Sequence, residues 1–151
     1  MKPIGLKIPK LYQIILFVTL AFSWFSGLGF FILDTFFVIE GEFGLQKHPW
    51  QNPSLTAHGA TAFLMMIWFG AALGAHVPFS WRTKRLRILG LGLIGNVALQ
   101  VITAYMLFYL SDLSTREVVV WIHLGGGLFL PLTLYLHIRA AIKSRKNSHA
   151  K

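Results

Sequence analysis

Residues 121–138 read WIHLGGGLFLPLTLYLHI. The stretch has no Asp, Glu, Lys or Arg, as befits a helix in hydrocarbon, yet it holds three adjacent glycines, a proline and two histidines, His123 and His137. About 20 apolar residues suffice to cross a bilayer core as a helix, and in lipid the backbone must bond within its own segment. Working outward, uncharged runs occupy about 11–33, 55–81 and 88–111, and the quoted stretch belongs to a fourth at about 118–138. With 151 residues and 55% hydrophobic content, the chain is unlike an ordinary soluble domain. The runs predict an all-α, up-and-down transmembrane four-helix bundle with helices at about 11–33, 55–81, 88–111 and 118–142. The whole chain, 1–151, is expected to form that single membrane domain.

The net charge of +9 would suit a nucleic-acid partner if it were gathered on one face. It is instead sorted by helix end. Lys2, Lys7 and Lys10 precede the first run, and Arg82, Lys84, Arg85 and Arg87 fill the second connection. Arg139, Lys143, Arg145, Lys146 and Lys151 follow the last run. Lys47 and Arg116 fall on the other side, together with all five acids, Asp34, Glu40, Glu42, Asp112 and Glu117. The positive-inside rule therefore predicts that both termini are cytoplasmic. The basic clusters suit anionic lipid heads, not nucleic acid. The first run is too long for an ordinary signal-peptide core and lacks an A-x-A site after it, so it is expected to be a retained helix. Trp50, Trp81 and Trp121 fall near helix ends, where interfacial anchors belong.

The connections at 82–87 and 112–117 are short, so neighbouring helices should run antiparallel. Residues 34–54 form a longer outer connection whose apolar content suggests that it lies along the membrane surface, and Gly41, Gly44, Pro49 and Pro53 argue against one helix there. With no cysteine, disulfides, cysteine-ligated clusters and c-type haem attachment are excluded.

Four of the six histidines lie inside the apolar runs: His58 and His76 in the second, His123 and His137 in the fourth. A lone intramembrane histidine is readily explained as a hydrogen bond between helices. Two pairs invite a functional reading. At about 100° and 1.5 Å per residue, the 14-residue step from His123 to His137 rises about 21 Å and ends about 40° short of four whole turns. The 18-residue step from His58 to His76 makes about five turns and rises about 27 Å. Each pair thus shares a helix face, and the two helices run the same way. His58 is expected at the depth of His123 (outer) and His76 at that of His137 (inner). Opposed histidines at two depths suit two planar cofactors. Zinc or copper would ask for further protein ligands, whereas a porphyrin supplies four nitrogens and leaves two axial places for imidazole.

The glycines then acquire a use. Three together give up roughly 3 kcal/mol of helix propensity against alanine. Gly126 and Gly127 share the face of His123 one turn on, where a macrocycle would need close approach to the backbone. Gly27 and Gly29 on the first helix match the outer depth, and Gly92 and Gly95 on the third match the inner one. Close packing through small residues is the alternative use. Pro131 is expected to kink the fourth helix. Phe63, Met65, Met66, Phe69 and Phe129 are candidate cofactor walls or lipid-facing residues, and Asn96, Gln100 and Thr103 make a weak polar stripe suited to interhelical hydrogen bonds.

Taken together, these residues resemble the transmembrane cytochrome b type, a four-helix protein with two bis-histidine b haems between helices two and four. The resemblance covers about residues 11–140 and rests on HGATAFLMMIWFGAALGAH (58–76), HLGGGLFLPLTLYLH (123–137) and glycines on helices one and three. The 18-residue spacing on helix two is wider than that family's usual spacing. The resemblance implies metal ligands His58 and His123 at an outer haem and His76 and His137 at an inner one. It also implies a small haem subunit in a bacterial cytoplasmic membrane, passing electrons between a quinone pool and a partner redox subunit (a c-type cytochrome or a dehydrogenase subunit). Glu40, Glu42, His48 and Asp112 are candidates beside an outer quinone, and Arg82, Arg85 and Arg87 beside inner haem propionates. The rival readings are a haem-free anchor or assembly subunit, a single-haem cytochrome b, and a proton-coupled transporter; the last is weakened by the lack of a carboxylate within the spans.

Overall fold

The structure, a computed structural model, describes residues 9–41, 44–82 and 86–149, and the side chains of 79, 80, 82 and 145–149 are not described. Lys2, Lys7, Glu42, Lys84, Arg85 and Lys151, and the side chains of Arg82, Arg145, Lys146 and His149, therefore lie outside the described residues.

Four helices carry the fold: α1 (Lys10–Phe36), α2 (Gln51–Arg82), α3 (Arg87–Tyr109) and α4 (Leu113–His149). Each contains a segment long and apolar enough to cross a membrane, Lys10–Phe36, Gln51–Pro78, Arg87–Tyr109 and Leu113–Ser144. The all-α expectation holds. At 1.5 Å per residue even the 23-residue α3 is about 35 Å long, more than the hydrocarbon core requires. Large apolar side chains stay exposed along these helices, Phe22 at 65%, Phe63 at 69% and Phe108 at 83%. Such surfaces are stable against lipid and costly against water.

Several boundaries differ from the sequence reading, and α1 runs on to Phe36 and α4 to His149. The connection after α1 contains a two-stranded antiparallel hairpin, β1 (Val38–Gly41) and β2 (Gly44–Lys47), with Val38 opposite Lys47 and Gly41 opposite Gly44. Gly44 adopts φ 104°, a left-handed value that glycine tolerates. α2 starts at Gln51 and so includes Pro53 in its first turn, where a missing N–H costs little. α4 starts at Leu113 because Asp112 caps it: the Asp112 carboxylate accepts the Thr115 N–H at 2.8 Å and the Ser114 hydroxyl at 2.8 Å. Pro131 and Pro78 both lie within continuous helix, and in each case the carbonyl four residues back belongs to a glycine, Gly127 or Gly74.

The chain divides into two compact units, Met1–Phe79 and Ser80–Lys151. In the first, α1 and α2 run antiparallel, since successive links join Tyr12 to Trp68, Ser23 to His58, Ser26 to Ser54 and Asp34 to Gln51. Tyr12 also meets the Trp68 ring edge-on, with centroids 5.5 Å apart. In the second, α3 and α4 run antiparallel, with Gly90 beside His137, Gln100 and Thr103 bonded to His123, and the Leu107 carbonyl bonded to Arg116. Each unit is thus a helical hairpin whose second helix bears a histidine pair.

Candidate functional site

The two histidines expected on the outer side are held in corresponding ways. On α2, the half-buried His58 places Nδ1 2.9 Å from the carbonyl oxygen of Ser23 on α1. A carbonyl has no proton to give, so His58 donates and, when neutral, keeps its lone pair on Nε2. The approach is close because α1 has glycine at the next turn. A Cβ on Gly27 would lie 2.8 Å from Cε1 and 2.9 Å from Nδ1 of His58. One turn away, the Ser54 hydroxyl donates to the Ser26 carbonyl at 2.9 Å, and a Cβ on Gly29 would lie 3.4 Å from that hydroxyl. Nearer the hairpin, the almost fully buried Gln51 donates to the carboxylate of Asp34.

On α4, the half-buried His123 places Nδ1 2.8 Å from the hydroxyl of Thr103 on α3. One turn earlier on α3, Gln100 donates to the His123 carbonyl at 3.0 Å. Gly126 makes that reach possible: a Cβ there would collide with the Gln100 amide and come within 3.2 Å of Asn96. A Cβ on Gly127 would touch the Gln100 amide oxygen at 3.4 Å. Gln100 and Thr103 of the weak polar stripe on α3 therefore make hydrogen bonds to α4, as the composition suggested.

The histidines expected on the inner side, His76 on α2 and His137 on α4, are also half-buried. His137 lies against α3 where Gly90 leaves room, 3.8 Å from the position of a Cβ. Gly92 and Gly95 have nothing within 4 Å of that position. Gly90 was not singled out by sequence, nor was Ser23, whose contribution is a main-chain carbonyl with no residue-type signature.

Glu40 is exposed opposite Leu45 in the hairpin, and His48 accepts the Trp50 N–H on Nδ1 at 3.2 Å in the turn before α2. Asp112 is occupied as the cap of α4, and its hydrogen bonds from Thr115 and Ser114 lower its pKa to about 2. Arg87 stacks its guanidinium 4.9 Å from the centre of the exposed Trp81 ring and donates to the Trp81 carbonyl at 2.7 Å. Among the described residues no cluster of three or more His, Cys, Asp or Glu gathers. A porphyrin-bound iron asks the protein for only two axial donors.

The fold and these residues define a protein of four membrane-length helices, built as two hairpins that each present a histidine pair. No protein-family model, curated protein or solved structure matches the chain.

Proposed function

We propose that this protein is a transmembrane electron carrier holding two b-type haems. His58 and His123 are the axial ligands of an outer haem iron, and His76 and His137 those of an inner one. The observation that carries the reading is the placement of Nδ1 in His58 and His123. Each is engaged by the preceding helix of its own hairpin, and a neutral ring that donates through Nδ1 has its lone pair on Nε2, the nitrogen that would ligate iron. A ring fixed through one nitrogen and coordinating through the other is the usual arrangement of a metal-bound histidine. When bound, haem supplies reversible one-electron chemistry, and two filled axial positions favour electron transfer over oxygen binding at iron.

The chain's own part is to hold and shield. The Ser23 carbonyl and the Thr103 hydroxyl orient the two outer imidazoles, the glycine at 27 lets α1 approach one of them, and the apolar helices exclude water. On this reading electrons pass between a quinone pool and a partner redox subunit, a c-type cytochrome or a dehydrogenase subunit. The protein lies in a bacterial cytoplasmic membrane with both termini inside, as its basic residues suggest. A haem-free anchor is the second reading, supported by the fact that the same hydrogen bonds also join the helices within each hairpin. A dithionite-reduced minus oxidised spectrum of the purified protein decides between them: the electron-carrier reading requires the sharp visible bands of low-spin b haem, and a colourless, folded protein would leave the anchor.

A further inference from the structure

Thr103 is 3% exposed, a hydroxyl enclosed in the middle of an apolar helix. Its oxygen lies 2.7 Å from the Leu99 carbonyl, 3.2 Å from the Gln100 carbonyl and 2.8 Å from His123 Nδ1. A hydroxyl has one proton and two lone pairs. If that proton went to His123, the Thr103 and Leu99 oxygens would face each other at 2.7 Å with no hydrogen between them. The proton therefore belongs to the Leu99 carbonyl, and Oγ accepts the Nδ1–H of His123.

We propose that Thr103 is the positioning residue of His123, fixing the ring as the Nδ1–H tautomer and setting the basicity of Nε2. The consequence for the haem rests on the electron-carrier reading; the tautomer does not. An acceptor on Nδ1–H raises the donor strength of the opposite nitrogen. A stronger donor favours the ferric over the ferrous state and lowers the midpoint potential of the iron it binds. The equivalent acceptor for His58 is the Ser23 carbonyl, which no side-chain substitution removes. The outer site thus has one ligand set by main chain and one adjustable through a side chain. Gln100 anchors the same turn of α4 through the His123 carbonyl, so the ring's position along the helix is kept separately from its proton.

The test compares Thr103→Val with Thr103→Ser in the full chain. Redox titration of the haem-loaded protein should give an upward shift in the midpoint potential of one haem for Thr103→Val. The other haem should be unmoved and Thr103→Ser should stay at the wild-type value. Unchanged potentials in Thr103→Val, or equal shifts in both variants, would overturn the proposal, since equal shifts report packing. Imidazole ¹⁵N chemical shifts of the haem-free wild-type protein give an independent readout if Thr103→Val fails to insert. A protonated Nδ1 on His123 supports the assignment, and a protonated Nε2 overturns it. A wild-type protein that binds no haem would sink the electron-carrier reading while leaving this second measurement decisive for Thr103.

Discussion

Replacing Gly27 by alanine is the sharpest challenge to the proposed role of His58. The new Cβ would lie 2.8 Å from Cε1, 2.9 Å from Nδ1 and 3.4 Å from Nε2 of His58, so a whole edge of the imidazole is in its way. Carbon contacts settle at about 3.5 Å or more, which requires the ring to retreat by about 0.7 Å. That retreat stretches the 2.9 Å bond to the Ser23 carbonyl. Alanine brings about 1 kcal/mol of helix propensity. Against it stand a lost hydrogen bond, worth about 1 kcal/mol, and overpacking that costs about 1–3 kcal/mol. The balance is a net loss of about 1–3 kcal/mol on these terms, and each 1.4 kcal/mol that falls on ligand placement weakens haem retention about tenfold. Haem content per chain, the low-spin spectrum and a thermal melt of the solubilised protein measure it together. One haem should be weakened or altered and the melt lowered. Gly70→Ala, with nothing within 4 Å of the added carbon, should be neutral or slightly stabilising. A Gly27→Ala protein with wild-type spectrum and melt would refute the claim that glycine at this position sets the place of His58.

A reporter fused after Lys151 should read out in the cytoplasm, and an external signal would invert the inner and outer assignments. His123→Ala should abolish one haem and His137→Ala the other in membrane-inserted protein; either variant with an intact two-haem spectrum would remove that histidine from the ligand set. Haem per wild-type chain should approach two. The separations of about 21 and 27 Å can be matched by a tilt of helix two near 39°, toward the upper end for membrane helices, and a reproducible value of one would refute the count. Asp112 has its pKa lowered from 3.8 to about 2 by hydrogen bonds from the Thr115 hydroxyl, the Thr115 N–H and the Ser114 hydroxyl. Because the folded value is the depressed one, the cap's contribution is complete above about pH 4 and is lost as pH falls toward 2. Asp112→Ala should therefore lower the melting temperature at pH 7 and flatten its dependence over that acid range; an unchanged profile would show that the cap contributes nothing.

What could be read from the residues follows from the length scale of each signal. Four helices are legible because an apolar run of about 20 residues has few alternatives in lipid. The strands at 38–41 and 44–47 are not, since they are four residues each and exposed throughout, with no alternation imposed by a core. The start of α4 was carried by Asp112, Ser114 and Thr115, a capping pattern hidden in a polar stretch that looks like a plain turn. At the candidate site the histidines were legible by spacing. Their hydrogen-bond partners were less so: Ser23 acts through its backbone, and Thr103 was one member of a faint polar stripe. The neighbours of the glycines also needed coordinates, because spacing puts Gly126 on the face of His123 but does not say that Gln100 of α3 passes over it.

The hydrogen bonds on Nδ1 of His58 and His123 each form within one hairpin: Ser23 and His58 lie in the first, Thr103 and His123 in the second. During synthesis the first imidazole can settle on its carbonyl before the ribosome has reached Gln100. The Nδ1 bond of each ring can therefore form as its own half is made. Inherited damage should respect the same border. A lesion at Thr103 acts on the Nδ1 bond of His123 and one at Gly27 on that of His58, so two defective alleles with lesions in opposite halves are natural candidates for complementation as separately expressed hairpins.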